Sequence, residues 1–439
     1  MSQKVPTEDE LTSILVTLRA ENPTLGTAKL HALLLSTRPD WTVSEKRTKK
    51  ILHSEGLVLG SSSVQSHAKS PTNDVADDAA SLLPVSKLVE GLDVAKWTNK
   101  VEVKYFGRSK GKGLVAKEPI AEGETVWKED PFVLAPEWEI YDLQVSSAAC
   151  AHCSTPLMGS SLIVSCPASA PCTARFCSRL CLSRSATTHP LLCPAQNPAS
   201  APLLAFGRKT EWMALHALSR CTARILLREQ NDEAAFKSDW EFVRSLAQLG
   251  MEERAKGGWL GNAQPDRETW KRAHELYVQA FHTPVKESEK KRLLRILQKS
   301  INKEVSEWLF GYDAFLRGLG RMSLNLEAHG GLYVLHSHMN HACDPNISVR
   351  HLDQRTALAR ISMVARRDIA AGEELAITYV NPEMPLDQRR QGLREWGFGM
   401  CRCARCVREE QDPARQASDA GMSGDRDLEN ELKAGLGVV

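Results

Sequence analysis

The chain of 439 residues has no run of about 18 apolar residues, which argues against a membrane-spanning helix. It has almost no net charge. Its 56 Lys and Arg stand against 54 Asp and Glu, leaving +2, so no bulk basicity argues for nucleic acid and any basic surface must be local. The opening Met1-Ser2-Gln3-Lys4-Val5-Pro6 lacks the apolar region of a signal peptide. An intracellular protein is therefore expected, in which thiols stay reduced and clustered cysteines bind metal more often than they pair. Gly111 and Gly113 have no third glycine or following helix, which excludes a dinucleotide-binding turn. With 42% hydrophobic and 25% charged residues, the chain can bury a sizeable core in more than one domain.

What the chain does have is cysteine in clusters. Of its 12 cysteines only Cys221 stands outside a motif, in an apolar helical stretch where a small core residue is expected. Cys150, Cys153, Cys166, Cys172, Cys177, Cys181, His189 and Cys193 put eight soft or borderline ligands within 44 residues, the number that two tetrahedral zinc sites need. Pairs at such short spacing reach one metal from a tight turn, and a helix presents residues i and i+4 on one face. So small a segment buries little apolar surface, so metal would supply much of its folding energy. His152 is spare and is expected at the surface.

Elsewhere the periodicity sets an order of parts. Residues 1–58 are expected to form a helical module. Thr7 opens the first helix, which carries Leu11, Ile14, Leu15 and Leu18; a second follows from Thr27, and Ser44-Glu45-Lys46-Arg47 starts a third that ends near Gly56. The three resemble a helix-turn-helix. Lys46, Arg47, Lys49 and Lys50 could meet phosphates or an acidic protein, or simply form a solvated face. Polar, aperiodic residues 59–96 read as a flexible linker. Val101–Tyr105 alternates as a strand before the Gly111-Lys112-Gly113 turn, and residues 119–126 read as strand, turn and strand. Helices are expected from Trp212 through Leu227, over Ser238 to Leu249, Arg267 to Phe281 and Ser288 to Phe315, with a break at residues 256–262. His216 and His274 read as structural, and Glu289-Lys290-Lys291-Arg292 as the solvated start of the last helix.

Three later pieces carry the most specific signal: Asn340-His341-Ala342-Cys343-Asp344-Pro345-Asn346, Gly372-Glu373-Glu374-Leu375-Ala376-Ile377-Thr378-Tyr379, and Cys401-Arg402-Cys403-Ala404-Arg405-Cys406. Together they resemble SET-domain protein lysine methyltransferases. The upstream cysteine cluster resembles a MYND finger and narrows the likeness to the SET-and-MYND type, most similar to the fungal branch associated with histone H4 tails. The resemblance implies an α+β fold: a SET-domain β-fold split into residues 97–149 and 320–381, a MYND-like zinc finger at 150–193, a helical insert at 202–319, a zinc-bound post-SET segment at 382–409 and a disordered tail at 410–439.

It also implies roles. One zinc would take Cys150, Cys153, Cys177 and Cys181, and another Cys166, Cys172, His189 and Cys193. Cys401, Cys403 and Cys406 lack a fourth local ligand, for which Cys343 is the natural candidate, making three structural ions with no open position for water. As a ligand, Cys343 would not be a nucleophile. The chain departs from the MYND pattern in the five residues between Cys166 and Cys172, where two are usual, and in Leu182 and Ala186, which replace glutamine and tryptophan. S-adenosylmethionine would meet Lys110, Gly111, Lys112, Asn325, Asn340, His341, Tyr379 and Phe398, with Trp396 and Phe398 walling the site, His336 and His338 as scaffold, and Tyr379 as the catalytic tyrosine.

The implied reaction is in-line attack of a neutral lysine amine on a sulfonium methyl. Free lysine has a pKa of about 10.4, so desolvation and the sulfonium charge must favour deprotonation; no dedicated general base is evident. Expected partners are a histone tail, H4 favoured, or another lysine-bearing protein, with nucleosome or DNA contact through the N-terminal module and no membrane. A monomer in nucleus and cytoplasm is expected. An inactive SET and zinc-finger scaffold, a methyltransferase of a non-histone protein and a nucleic-acid-binding regulator are the competing readings.

Overall fold

The computed structural model describes residues 6–22, 25, 27–54, 83–107, 110–168, 172–257, 265–351 and 359–411. The chain divides into two compact units, Met1–Val75 with Phe106–Gly111, and Ala76–Tyr105 with Lys112–Val439. In the first, α1 (Glu8–Glu21), α2 (Thr27–Thr37) and α3 (Glu45–Ser54) enclose Leu11, Leu15, Leu30, Leu34, Ile51 and Leu52. Thr7 caps α1 through a reciprocal box: Glu10 N donates to Thr7 Oγ1 at 3.3 Å and Thr7 N to Glu10 Oε2 at 2.9 Å. Thr48 of α3 is fully buried and meets His31 of α2 at 2.9 Å.

Residues 59–82 of the expected linker lie outside the described residues. Residues 83–96 correct that expectation. Val85 and Gln248 exchange backbone hydrogen bonds at 3.0 Å each, and Lys87 N donates to Ser245 O at 3.1 Å, so this stretch is tied into the second unit.

The second unit is built on short strands: β1 (Val101–Tyr105), β2 (Lys112–Ala116), β3 (Thr125–Glu129), β4 (Val133–Leu134), β5 (Val164–Ser165), β6 (Arg175–Phe176), β7 (Gly331–Leu332), β8 (Asn340–His341), β9 (Ile347–His351), β10 (Ile361–Ala365) and β11 (Glu374–Ile377). One sheet runs β1-β2-β11-β8, another β3-β10-β9, and β4-β7 and β5-β6 form pairs. The inner strands β2 and β10 are buried at every residue, which explains their lack of polar alternation. Leu114, Trp127, Leu335, Met339, Met363 and Leu375 belong to the core they share. β10 begins at Ile361, residues 352–358 being outside the described ones, and β11 ends at Ile377, two residues before Tyr379. Gly330 shows why the β4–β7 pair needs glycine: its φ is +83°, and an added Cβ would lie 1.6 Å from Ala135 O.

The described α-helices of this unit are α4 (Trp138–Val145), α5 (Arg179–Ser185), α6 (His189–Leu192), α7 (Ser200–Lys209), α8 (Met213–Asn231), α9 (Glu233–Ser245), α10 (Met251–Lys256), α11 (Arg267–Phe281), α12 (Glu287–Ile296), α13 (Lys303–Phe310), α14 (Tyr312–Asn325), α15 (Leu386–Glu395) and α16 (Ala404–Glu410). The expected helix Ser238 to Leu249 starts earlier, where Asp232 caps α9 by accepting from Ala235 N, and stops at Ser245. The expected single helix Ser288 to Phe315 is three. Asn302 caps α13 by accepting from Glu304 N, and Gly311 is extended between α13 and α14. Residues 258–262 of the expected break and 412–439 of the expected tail lie outside the described residues. Cys221 is buried in α8, as its apolar surroundings suggest.

Candidate active site and metal clusters

The second unit's site grows from one crossing. β8 pairs in parallel with β11, Asn340 opposite Ala376 and His341 opposite Ile377, and Ala342 N donates to Ile377 O at 2.8 Å. Two segments over thirty residues apart thereby run side by side. Asn346 holds them there: its Nδ2 donates to Glu374 O at 2.8 Å and Glu373 Oε1 at 3.0 Å, and its Oδ1 accepts from Ala376 N at 2.8 Å. Asn340 Nδ2 donates to Lys112 O at 3.0 Å and Glu374 Oε1 at 2.9 Å, locking β8 to β2 and β11. No described residue donates to Asn340 Oδ1, which leaves that oxygen for a ligand.

Because the chain leaves β11 after Ile377, Tyr379 turns back onto β8. Its backbone N donates to His341 Nδ1 at 3.0 Å and its hydroxyl to Met339 O at 2.6 Å. Burial, with the Glu327 and Glu374 carboxylates, pushes the phenol pKa up, so the hydroxyl keeps its proton. The Tyr379 ring lies 5.3 Å from that of His341 and 5.0 Å from Phe398, both tilted. Burial lowers the His341 pKa to about 4. Neutral, the ring accepts at Nδ1 and reaches Cys343 Sγ from Nε2 at 3.2 Å.

Lys112 is only 3% exposed, its nearest partner being Ser245 Oγ at 3.4 Å, and burial drops its pKa to about 7. Asn325, at the end of α14, donates to Ala247 O at 2.8 Å, two residues from Ser245. Lys112, Asn325, Asn340, His341, Tyr379 and Phe398 thus fall in one neighbourhood of the second unit, while Lys110 and Gly111 belong to the first. Gly111 has a φ of +73°, and Lys110 Nζ sits 4.8 Å over the Phe106 ring. Trp396 is half-buried.

Three cysteine clusters accompany this polar crossing, the third touching it where His341 meets Cys343. Cys150, Cys153, Cys177 and Cys181 converge, as do Cys166, Cys172, His189 and Cys193, and Cys343, Cys401, Cys403 and Cys406; within each set the ligand atoms lie within 4.8 Å of one another. The structure thus brings together the three sets of residues singled out in the sequence. Cys177 Sγ is 3.6 Å from Cys153 and 3.4 Å from Cys181; Cys343 Sγ is 3.4 Å from Cys406 and 4.0 Å from Cys401. A tetrahedron with zinc–sulfur bonds of about 2.3 Å has edges of about 3.8 Å, so these donor sets fit one such ion each. Fully buried Arg389 braces the third cluster, donating to Met384 O and to the Glu409 carboxylate with Nη2 3.9 Å from Cys406 Sγ. His152 is corrected: it is half-buried rather than at the surface, and burial lowers its pKa.

The SET domain family pattern matches residues 111–380. The chain belongs to the SET-domain family. Similar proteins include the histone-lysine N-methyltransferase SET5 of Yarrowia lipolytica, 30% identical over 93% of this chain and 84% of that protein. That of Mycosarcoma maydis is 29% identical over 76% and 77%. A crystal structure of the SET domain of LSMT bound to lysine and AdoHcy superposes at a TM-score of 0.33 and 13% identity, over 69% of this chain and 52% of that one, a likeness too slight to argue from.

Within this SET domain, sequence reasoning missed the groups that assemble the crossing: the Glu374 carboxylate, the Asn346 amide and the Met339 carbonyl. It also missed Glu129, which is buried and accepts from Leu335 N at 2.8 Å, His336 N at 3.1 Å and Trp127 Nε1 at 3.2 Å. Asn346 stands in the Asn340–Asn346 motif and could have been singled out there. Glu129 carries no local signal, since its partners lie more than 200 residues away or on its own strand.

Proposed function

We propose that this protein transfers the methyl group of S-adenosylmethionine to the ε-amine of a histone lysine, the H4 tail being the favoured substrate. The observation that carries the reading is the crossing of β8 and β11, which sets Tyr379, Asn340 and His341 together inside a SET domain. Its relatives, matched over most of their length, are histone-lysine N-methyltransferases.

S-adenosylmethionine would supply an electrophilic methyl: the N–C bond to a neutral lysine amine would form in line as the sulfonium S–C bond breaks, the thioether S-adenosylhomocysteine leaving and the positive charge passing to the methylated amine. The protein's part is to bind and align. Asn340 offers its free Oδ1, and the backbone of β8 offers polar groups to the cofactor. The Tyr379 hydroxyl stays protonated, so it acts as a fixed dipole and not as a base. Tyr379 and Phe398 form an aromatic wall that favours the neutral amine over the ammonium by excluding water. Pre-alignment of amine and methyl then supplies much of the rate.

Zinc, bound by the three donor sets, supplies structural cross-links. We read residues 150–193 as a MYND-like finger with two ions and Cys343 with Cys401, Cys403 and Cys406 as a clamp that ties the C-terminal segment to the β8 crossing. A histone substrate places the protein's work in the nucleus.

The test uses labelled S-adenosylmethionine with core histones and nucleosomes, comparing wild type and Tyr379→Phe. Label on H4 that disappears in the variant is the expected result. Label on another histone moves the substrate; cofactor binding without transfer to any histone points to a non-histone protein; no cofactor binding by a zinc-replete sample overturns the enzyme reading.

A further inference from the structure

Four surface cations of the helical insert pair with a carboxylate three residues away: Lys286 with Glu289 at 3.2 Å, Lys290 with Glu287 at 2.6 Å, Lys271 with Glu268 at 3.3 Å and Arg272 with Glu275 at 3.0 Å. Exposed Lys291 and Arg295 of α12 have no ion pair among the described residues. Helix α3 of the N-terminal unit carries three such cations in register. Lys46, Lys49 and Lys50 are exposed at positions i, i+3 and i+4, so they form one stripe, and among the described residues none has an ion-pair partner. The opposite face, Thr48, Ile51 and Leu52, is no more than 2% exposed. Arg47, between the faces, donates to Pro6 O at 2.9 Å. Like charges at this spacing cost an isolated helix about 0.2–0.5 kcal/mol per pair, so the stripe does not serve the fold.

We propose that the Lys46–Lys49–Lys50 stripe of α3 binds the phosphate backbone of duplex DNA, holding the enzyme beside its substrate. The choice of DNA rests on the histone reading, since DNA is the polyanion that accompanies histones. Chemistry favours a duplex over two other anions. An acidic protein surface binds firmly when apolar groups flank the charges, and the apolar residues of α3 face inward. Single-stranded nucleic acid needs exposed aromatic rings to stack its bases. Among the described residues of the three helices and their links the aromatic is Trp41, which is 4% exposed and lies 4.2 Å beneath Arg38. Lysines contacting phosphates read no sequence, so binding is sequence-independent and salt-sensitive.

The test measures fluorescence anisotropy of a labelled mixed-sequence duplex with the full chain, wild type against the triple variant Lys46→Gln, Lys49→Gln, Lys50→Gln. Three neutralised phosphates contribute a slope of about −2.7 in log affinity against log salt, so raising salt from about 50 to 200 mM weakens this share of binding roughly 40-fold. The variant, folded by circular dichroism, is expected to bind more weakly with a slope shallower by that amount. An unchanged affinity and slope in the variant overturns the proposal. So does stripe-dependent binding of polyglutamate or of a single strand tighter than of the duplex. Methyl transfer to free core histones is measured alongside. Transfer without stripe-dependent duplex binding removes this inference alone, and stripe-dependent duplex binding without transfer removes the histone-substrate reading alone.

Discussion

The Tyr379 hydroxyl donates to the Met339 carbonyl oxygen at 2.6 Å, joining residues 40 apart beside the β8–β11 crossing. Removing it in Tyr379→Phe takes away one oriented dipole and leaves the ring against Phe398. Loss of one such group costs about 10²–10³ in turnover. We expect that fall in kcat for methyl transfer, with S-adenosylmethionine affinity by calorimetry within a few-fold of wild type. A variant that turns over normally removes Tyr379 from the chemistry.

Asn340→Ala should act on binding. It breaks hydrogen bonds to Lys112 O and Glu374 and removes the open Oδ1. At about 1–3 kcal/mol for a buried polar group left unpaired, affinity should drop about 5- to 150-fold. Calorimetry reads this as a raised Kd, and saturating S-adenosylmethionine should recover much of the rate. Unaltered cofactor affinity contradicts the role.

The Cys343 clamp predicts a metal count. Cys401→Ser should lose about one of three zinc ions by elemental analysis, and the finger clusters should keep theirs, because the donor sets share no residue. Thermal unfolding should begin at a lower temperature, and cofactor affinity should weaken because Cys343 lies two residues from His341. Three ions retained would refute the clamp.

Lys112 predicts a pH dependence. Burial lowers its folded pKa to about 7 from 10.5. Below about pH 7 both states hold the proton and the burial cost is complete. As pH rises from about 7 to 10.5 the folded state has lost the proton that the unfolded state keeps, so stability climbs by up to about 1.4 kcal/mol per pH unit. Denaturant unfolding of wild type minus Lys112→Met should show this positive slope between pH 7.5 and 9.5. Parallel curves would mean that the ammonium finds a partner or water.

The chain order of cysteines, the Asn340–Asn346 motif and the apolar periodicity of the helices determined a great deal by themselves. Short-range rules govern those features. Ligands a few residues apart share a turn, Thr7 and Glu10 cap the helix that begins beside them, and the 3.6-residue period of α11 places Trp270, Ala273 and Tyr277 inside. The same rules overran Ser288 to Phe315, because apolar spacing continues through Asn302 and Gly311, where a cap and an extended glycine divide the helix. Residues 83–96 looked like a linker because their partners, Ser245 and Gln248, lie over 150 residues away.

Only the tertiary structure decided what the crossing contains. The parallel pairing of β8 with β11 brings Tyr379 to Met339, Asn346 bonds Glu373, Glu374 and Ala376, and Lys112 turns its ammonium inward to Ser245. None of these partners stands near the other in the chain, and each bond pays the entropy of closing a long loop only when the surrounding core is formed. The local sequence names the donors; the packed core selects the acceptors.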